Sequence, residues 1–232
     1  MNRRSARPNL LAILGLALGI FFSAAQPGTA SLITFVAEGT VNSVDPVLAG
    51  PFFSVGDAFT VTFTFDSLTP DSNPDPNRGF YGNAITSLLV TVGTYSATAS
   101  GNNAISVDND LGFGVGDQYA IDLTDPMSGP SVNGWDVSSQ TALLLLGDPT
   151  ATALSSDALL TDPPNLADFG GFVALEFIDP TIPPDPDEIP PLAFVGADLT
   201  SFSLIPEPAT LLLLALCGLA LSRRHRPSMR DI

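Results

Sequence analysis

The feature that most narrows the fold is a stretch, Phe59 to Phe65, in which apolar side chains and threonines alternate without exception. A period of two built from aromatic and β-branched residues predicts a half-buried β-strand. The run Leu32 to Val44 predicts a longer, less regular strand before it. A hairpin is predicted about Gly93 and Thr94, with arms at Ile85 to Val92 and Tyr95 to Ala99.

Short strands with glycine, proline and asparagine turns between them continue to the end of the body. They are predicted at Ala104 to Val107, Gln118 to Leu123, Ala142 to Leu146, Gly171 to Ile178 and Phe194 to Leu204. A helical turn is expected only near Ala153 to Leu160. This spacing predicts an all-β domain over residues 31–205, a two-layer antiparallel β-sandwich of jelly-roll-like form.

The N-terminus has the three parts of a secretory signal peptide, predicted over residues 1–30. Met1 to Asn9 is basic, Leu10 to Phe22 is apolar, and Gly28 and Ala30 supply the small residues before a cut after Ala30. A cut after Ala25 and a permanent membrane anchor are the alternatives. Export would then require the translocon and signal peptidase as partners.

The C-terminus has a second short apolar run, Ala209 to Leu221, which predicts a helix over about 209–222. Pro206, Glu207 and Pro208 precede it, and a basic stop at 223–226 follows it with Arg223, Arg224 and Arg226. Leucines between a proline start and an arginine stop are typical of a segment that enters a membrane with its basic end in the cytoplasm. The body would then lie outside before processing.

Residues 206–226, read together, resemble the PEP-CTERM sorting signal. The resemblance implies recognition by exosortase, a membrane-embedded cysteine protease, with cutting near Pro206-Glu207-Pro208. Release from the cell or attachment at its surface would follow. It also implies a bacterial envelope that makes exopolysaccharide, a further expected partner. The motif predicts destination, and no activity comes with it.

Charge and composition exclude several classes of function. Between Ser31 and Ile205 a single arginine, Arg78, faces 22 acidic residues, so the body is near −21 and would repel nucleic acid. The chain has no lysine, and its one histidine is His225 in the basic stop, so the body has no Ser-His-Asp or Cys-His site. The one cysteine, Cys217, cannot form a disulfide within the chain. We therefore expect an exported, non-enzymatic protein of the cell surface or extracellular matrix.

Three other sites stay open as alternatives. A hydrolase would need paired carboxylates, with Glu38, Glu176 and Glu188 as the glutamates of the body and Glu176 as the best candidate for a buried acid. Calcium could bind oxygen ligands at Asp108 and Asp110, although the spacing departs from an EF-hand. No other cofactor is expected. A carbohydrate-binding module, calcium-dependent or not, would present Trp135 as an exposed platform, with Tyr81 and Tyr119 beside it.

Overall fold

A computed structural model describes residues 31–99, 101, 103–112, 114–138, 142–182 and 191–206. Every regular element among them is a β-strand, which confirms the all-β class. The strands are β1 (Leu32–Val44), β2 (Ala58–Asp66), β3 (Arg78–Val92), β4 (Tyr95–Ala99), β5 (Asn103–Leu111), β6 (Gly116–Asp122), β7 (Asp136–Val137), β8 (Ala142–Asp148), β9 (Gly170–Ile178) and β10 (Leu192–Ile205).

Eight of these strands form a closed antiparallel barrel, so the predicted two-layer sandwich is wrong. The order is β1, β2, β3, β5, β6, β8, β9 and β10, and β10 then pairs with β1 as well as with β9. Each strand therefore pairs with the next barrel strand along the chain, and no jelly-roll crossover is present. The short strands β4 and β7 extend the wall beside β3 and β9.

The local predictions were nearly all correct. Strands lie at every predicted position, and Gly93 has the positive φ of a tight hairpin turn, at 56°. Strand β3 begins at Arg78, seven residues before the predicted hairpin arm at Ile85. The helical turn predicted at Ala153 to Leu160 is wrong, since that segment consists of bends without a helix.

The barrel interior is filled by the inward side chains of the alternating strands, as an eight-stranded barrel allows. Two groups of aromatic rings occupy it. One comprises Phe35, Phe63, Phe65, Tyr119 and Phe202, and the other comprises Phe52, Phe53, Tyr95 and Phe177. Ring pairs in such edge-to-face contacts add stability beyond the area that they bury.

The two ends of the barrel differ. We call the end with the Gly93 turn the hairpin end, and the end where β1 begins and β10 finishes the termini end. At the hairpin end, the loop 45–57 inserts Leu48 and Phe53, which are 0% and 2% exposed. Asn133 fastens this loop by donating its side-chain N–H to the carbonyl oxygen of Val47, at 2.9 Å.

The long loop 149–169 covers the termini end. Its apolar side chains pack against the core, namely Leu154, Leu159, Leu160, Leu166 and Phe169. The Tyr81 hydroxyl of β3 donates to the Asp157 carbonyl oxygen at 2.9 Å, and Gly79 lets that carbonyl approach the strand. A loop predicted to be part helix is therefore an irregular plug.

Candidate functional site

The last strand of the barrel continues directly into the Pro206-Glu207-Pro208 motif. Its ladder with β1 persists to the final residue, with Ile205 opposite Thr34, Leu204 opposite Phe35 and Ser203 opposite Val36. Pro206 is the next residue. No linker therefore separates the folded barrel from the motif.

The end of β10 is held on one side. Its pairing with β9 stops where Asp198 lies opposite Phe172, so Leu199 to Ile205 pair only with β1 within the described part of the chain. Leu204 and Ile205 are 44% and 45% exposed. The segment before the motif is thus a strand with an open edge and two exposed apolar side chains.

Ser31 lies at the same end as this strand. Leu32 is opposite Asp66 in the β1–β2 ladder, and the carbonyl oxygen of Ser31 accepts hydrogen bonds from the backbone N–H and the hydroxyl of Ser67. The predicted signal-peptide cut after Ala30 would therefore leave a new N-terminus on the strand that neighbours β10. Both predicted processing points flank one end of the barrel.

A pair of buried carboxylates lies at the termini end, and sequence reasoning missed it as a pair. Asp117 of β6 lies opposite Asp148 of β8, and they are 0% and 5% exposed. Asp117 accepts the backbone N–H groups of Asp110 and Leu154 at 2.8 and 2.7 Å. Each carboxylate is occupied by donors from this chain, so the pair anchors loops.

Asp148 has the larger set of donors. It accepts backbone N–H groups from Thr150, Thr152 and Ala153 and hydroxyl groups from both threonines, at 2.6 to 3.1 Å. These hydrogen bonds, led by the Thr150 hydroxyl, hold the pKa of Asp148 well below its usual range. The loop 149–169 begins on this carboxylate.

The predicted calcium ligands, Asp108 and Asp110, lie on one strand, β5. Asp108 is half-buried in β5, and its carboxylate lies 3.4 Å from the Arg78 guanidinium. Burial raises the pKa of Asp108, and the Arg78 charge opposes that rise. Asp110 is exposed, with a positive φ of 54°. Within the described ranges, no cluster of three or more histidine, cysteine or acidic residues could hold a metal ion.

The three aromatic residues predicted as a sugar platform do not share a surface. Trp135 is half-buried and packs against the core in a short turn after Val132. Tyr81 is 6% exposed, and Tyr119 is completely buried inside the barrel. Burial raises the pKa of Tyr119, and its hydroxyl has no hydrogen-bond partner among the described residues.

Of the three glutamates proposed for a hydrolase, the two that the structure describes lie on different strands, β1 and β9. Glu38 is exposed on β1 and accepts a hydrogen bond from the Ser201 hydroxyl at 2.7 Å. Glu176 is 4% exposed on β9, opposite Phe194. Glu188 lies outside the described residues. Glu176, the best candidate for a buried acid, is therefore buried in the barrel wall.

An open groove on the outer wall was not predicted. It has a volume of about 580 Å³ and lies over the pairing of β9 with β10, beside the end of β1. Phe172 and Phe194, which are 49% and 39% exposed, border a floor of Ala174 and Gly196. The signal in the sequence is faint: each phenylalanine occupies the outward phase of a strand, where a polar residue is usual.

Comparison with known proteins adds one finding. A family model described as the PEP-CTERM protein-sorting motif matches residues 204–226. The chain carries a PEP-CTERM sorting motif. Such a motif implies an exported protein with a C-terminal sorting signal that exosortase processes. No curated protein matches the chain, and no solved structure matches it.

The PEP-CTERM match overlaps the last two residues of the barrel. Leu204 and Ile205 belong to the motif and to β10 alike. Several predicted features lie outside the described residues. They are the predicted cleavage residue Ala30, the motif residues Glu207 and Pro208, the apolar run with its predicted helix, and the basic stop Arg223, Arg224 and Arg226. Within those that are described, no helix has the length and apolarity required to cross a membrane.

Proposed function

We propose that this chain is a non-enzymatic protein of the cell surface or extracellular matrix, which exosortase cleaves at the PEP-CTERM motif. The observation that carries the proposal is the motif matched at residues 204–226, which begins within the last strand of the barrel. The body, with a charge near −21, would follow the signal peptide through export, and the C-terminal run would hold it transiently in the membrane. The barrel is then the cargo, delivered with its acidic surface to the matrix.

The proposed roles of the tail residues follow from their chemistry. Ala209 to Leu221 spans roughly 20 Å as a helix at 1.5 Å per residue, short of the ~30 Å hydrocarbon core. Residence in the membrane would therefore depend on the arginines, which resist transfer across it. Glu207 adds nothing to insertion, and its role would be recognition by the protease.

To test these roles, two variants of the full chain are compared in cells that carry exosortase. Glu207→Gln keeps the apolar run intact and should accumulate as an uncut membrane form. Neutral replacement of Arg223, Arg224 and Arg226 should instead reduce membrane retention. Normal release of the Glu207→Gln protein would count against a motif that a protease reads.

Intact-mass measurement of the surface or secreted protein is the second arm. The expected product begins at Ser31 and lacks Leu211 to Leu221. Recovery of a full-length surface protein that keeps Arg223 to Arg226 would favour a plain tail anchor. The same measurement reports whether the new C-terminus is free or joined to an envelope component.

A second candidate function is the binding of a neutral matrix polysaccharide in the groove on the outer wall. Two exposed phenyl rings offer apolar faces, and Asn42 and Ser43 offer polar groups at the border. Asn42 is already oriented by donating to the Asp198 carboxylate at 2.7 Å. Pockets of about 300–1,000 Å³ with a few placed polar groups are typical of small-ligand sites.

This candidate is tested by retention on neutral polysaccharides. Phe172→Ser and Phe194→Ser should each weaken the retention of the processed protein. Leu89→Ser is the matched control, because Leu89 is 40% exposed on β3, away from the groove. Equal retention of all three variants would remove the groove from consideration.

A further inference from the structure

The residues that a protease would bind before the sorting motif are already hydrogen-bonded within the barrel. Ser203, Leu204 and Ile205 pair with Val36, Phe35 and Thr34 of β1. A cut near Pro206-Glu207-Pro208 therefore falls directly beside a strand that belongs to the fold. The folded domain and the proteolytic substrate overlap in sequence.

Proteases and peptide-binding proteins hold extended segments through main-chain hydrogen bonds and side-chain pockets. A backbone group that is paired with β1 is not free for a second partner at the same time. The rest of the barrel also stands beside the strand and limits how closely an active site can approach it.

We propose that exosortase takes Ser203, Leu204 and Ile205 as an extended segment that has first separated from β1. The inference rests on the proposed function and adds a substrate conformation to it. The three residues are positioning residues on the substrate side, because they present the motif to the protease. Cleavage then requires local opening of the termini end of the barrel.

The structure makes this opening local. Beyond Asp198 the strand pairs only with β1 within the described chain, so separation breaks one ladder. Ser203 is exposed, and Leu204 and Ile205 are nearly half exposed, so their separation uncovers little of the core. Frayed strand ends of this kind open far more often than the whole domain unfolds.

Phe202 sets the limit of the opening. Its ring lies 5.6 Å from the ring of Phe35, 6.1 Å from that of Phe63 and 6.3 Å from that of Tyr119, measured between centroids. Withdrawal of this ring would disrupt the aromatic group at the termini end. The separated segment therefore ends at Ser203, and the barrel survives cleavage with Phe202 in place.

The test is a reversible lock on the strand. Val36→Cys with Ser203→Cys, in a Cys217→Ala background, places two cysteines directly opposite each other on the outer wall. The full chain is examined in cells with exosortase, and the cut and uncut forms are measured by intact mass. When the disulfide forms, cleavage should slow by about tenfold or more, because cutting tracks the population of the open form. Reduction should restore the rate.

Two controls separate the lock from other effects. A disulfide between Thr62→Cys and Leu89→Cys joins β2 to β3 with the same chemistry, away from β10, and should leave cleavage unchanged. In the second control, a flexible linker of about ten residues is inserted after Ile205 of the locked protein. A repeat of Ser-Leu-Ile then follows the linker, and this free copy should restore cleavage in the oxidised protein.

Each result has a definite meaning. Unchanged cleavage of the oxidised Val36/Ser203 protein would overturn the inference, since the protease would then read the open edge of an intact strand. Failure of the linker to restore cleavage would overturn it as well. If the Glu207→Gln protein is cut at the wild-type rate, the sorting proposal itself fails, whatever the lock does to cleavage.

Discussion

Buried carboxylates show how single residues tie the loops of this protein to its barrel. Asp117 and Asp148 share one register position on neighbouring strands, and both are enclosed. Enclosure of a charge is costly unless hydrogen bonds replace water. Here the amides and hydroxyls of the loop 149–169 and the amide of Asp110 replace it, so the two loops and the two carboxylates stabilise each other.

Asp148→Asn should lower the melting temperature at pH 7, because an amide cannot accept all the donors that the carboxylate accepts. The pKa of Asp148 is lower in the folded protein than in the unfolded chain. Its stabilising contribution is therefore present above the unfolded value of about 3.9 and is lost as the pH falls through the folded one.

The difference in melting temperature between wild type and variant should consequently shrink as the pH is lowered from about 5 towards 2. Thermal unfolding across that range measures it. Asp162→Asn is the matched control, because Asp162 is exposed in the same loop. A difference that stays constant with pH would contradict the assigned role.

Gly116 should tolerate no side chain. Its φ is +70°, and a Cβ would overlap the carbonyl oxygen of Asp148 on the neighbouring strand. Strain of about 1–3 kcal/mol is typical of a non-glycine residue in that backbone region, and the overlap adds to it. Gly116→Ala should lower the free energy of unfolding by at least that amount in urea denaturation.

Gly112→Ala is the comparison, since a Cβ there meets nothing within 4 Å. It should unfold like wild type. Equal behaviour of the two variants would show that β6 and β8 shift apart easily. The sequence alone cannot rank the two glycines, because the carbonyl close to Gly116 belongs to Asp148, 32 positions further along the chain.

At the scale of elements, the strands were predictable and their arrangement was not. Alternation in Phe59 to Phe65 and the turn at Gly93 fixed β2 and the β3–β4 hairpin. Alternation with a period of two indicates which side chains of a strand face inward. The pattern is the same in a sandwich and in a barrel, so it cannot distinguish the two architectures. Closure depends on β10 pairing with β1 across about 160 residues, a contact that no local pattern reports.

The loops were predicted least well, for a related reason. Leu154 and Leu159 suggested a helical face, yet they pack one by one onto the barrel end. Likewise, the polar and glycine neighbours of Trp135 do not decide between an exposed and a core position, and the structure packs its side chain against the core. Phe172 and Phe194 are exposed because they lie at outward-facing positions of their strands. Assigning those positions requires the register of the strands.

Phe53 should be the most sensitive residue of the loop 45–57. Its ring contacts Tyr95 and Phe177 at 5.1 and 5.6 Å between centroids, at the hairpin end. Phe53→Ala should reduce the free energy of unfolding by about 3–5 kcal/mol, the usual cost of removing a buried phenyl ring. Urea denaturation measures the change, and amide exchange should show faster opening of the loop.

Phe194→Ala serves as the matched control because that ring is 39% exposed on the wall. Its effect should stay within about 0.5 kcal/mol, as for ordinary surface positions. A small loss from Phe53→Ala would mean that the loop does not close the barrel end as its burial indicates.

At the scale of the whole molecule, charge dominates the behaviour in solution. A body near −21 repels itself when compact, and this repulsion opposes folding. The one ion pair among the described residues, between Arg78 and Asp108, relieves little of it. Stability should therefore depend on ionic strength more than it does in an average domain of this size.

The melting temperature of the processed protein should rise as sodium chloride is added. Calcium and magnesium, compared at equal ionic strength, should raise it equally when both act by screening alone. A rise that calcium alone produces would identify a specific site. Asp110→Asn would then show whether the predicted ligands Asp108 and Asp110 form it.

Ser31 and Pro206 lie close together at the termini end of the barrel, where β1 begins and β10 ends. This proximity allows the chain to be rearranged. Neighbouring chain ends let a domain be rejoined and reopened elsewhere, since the ladder between β1 and β10 already holds them together. A circular permutant joined there by a short bridge and opened at the Gly93 turn should keep the barrel. Such a chain would have its new N- and C-termini at the hairpin end, so the same domain could be fused to another protein in the opposite orientation.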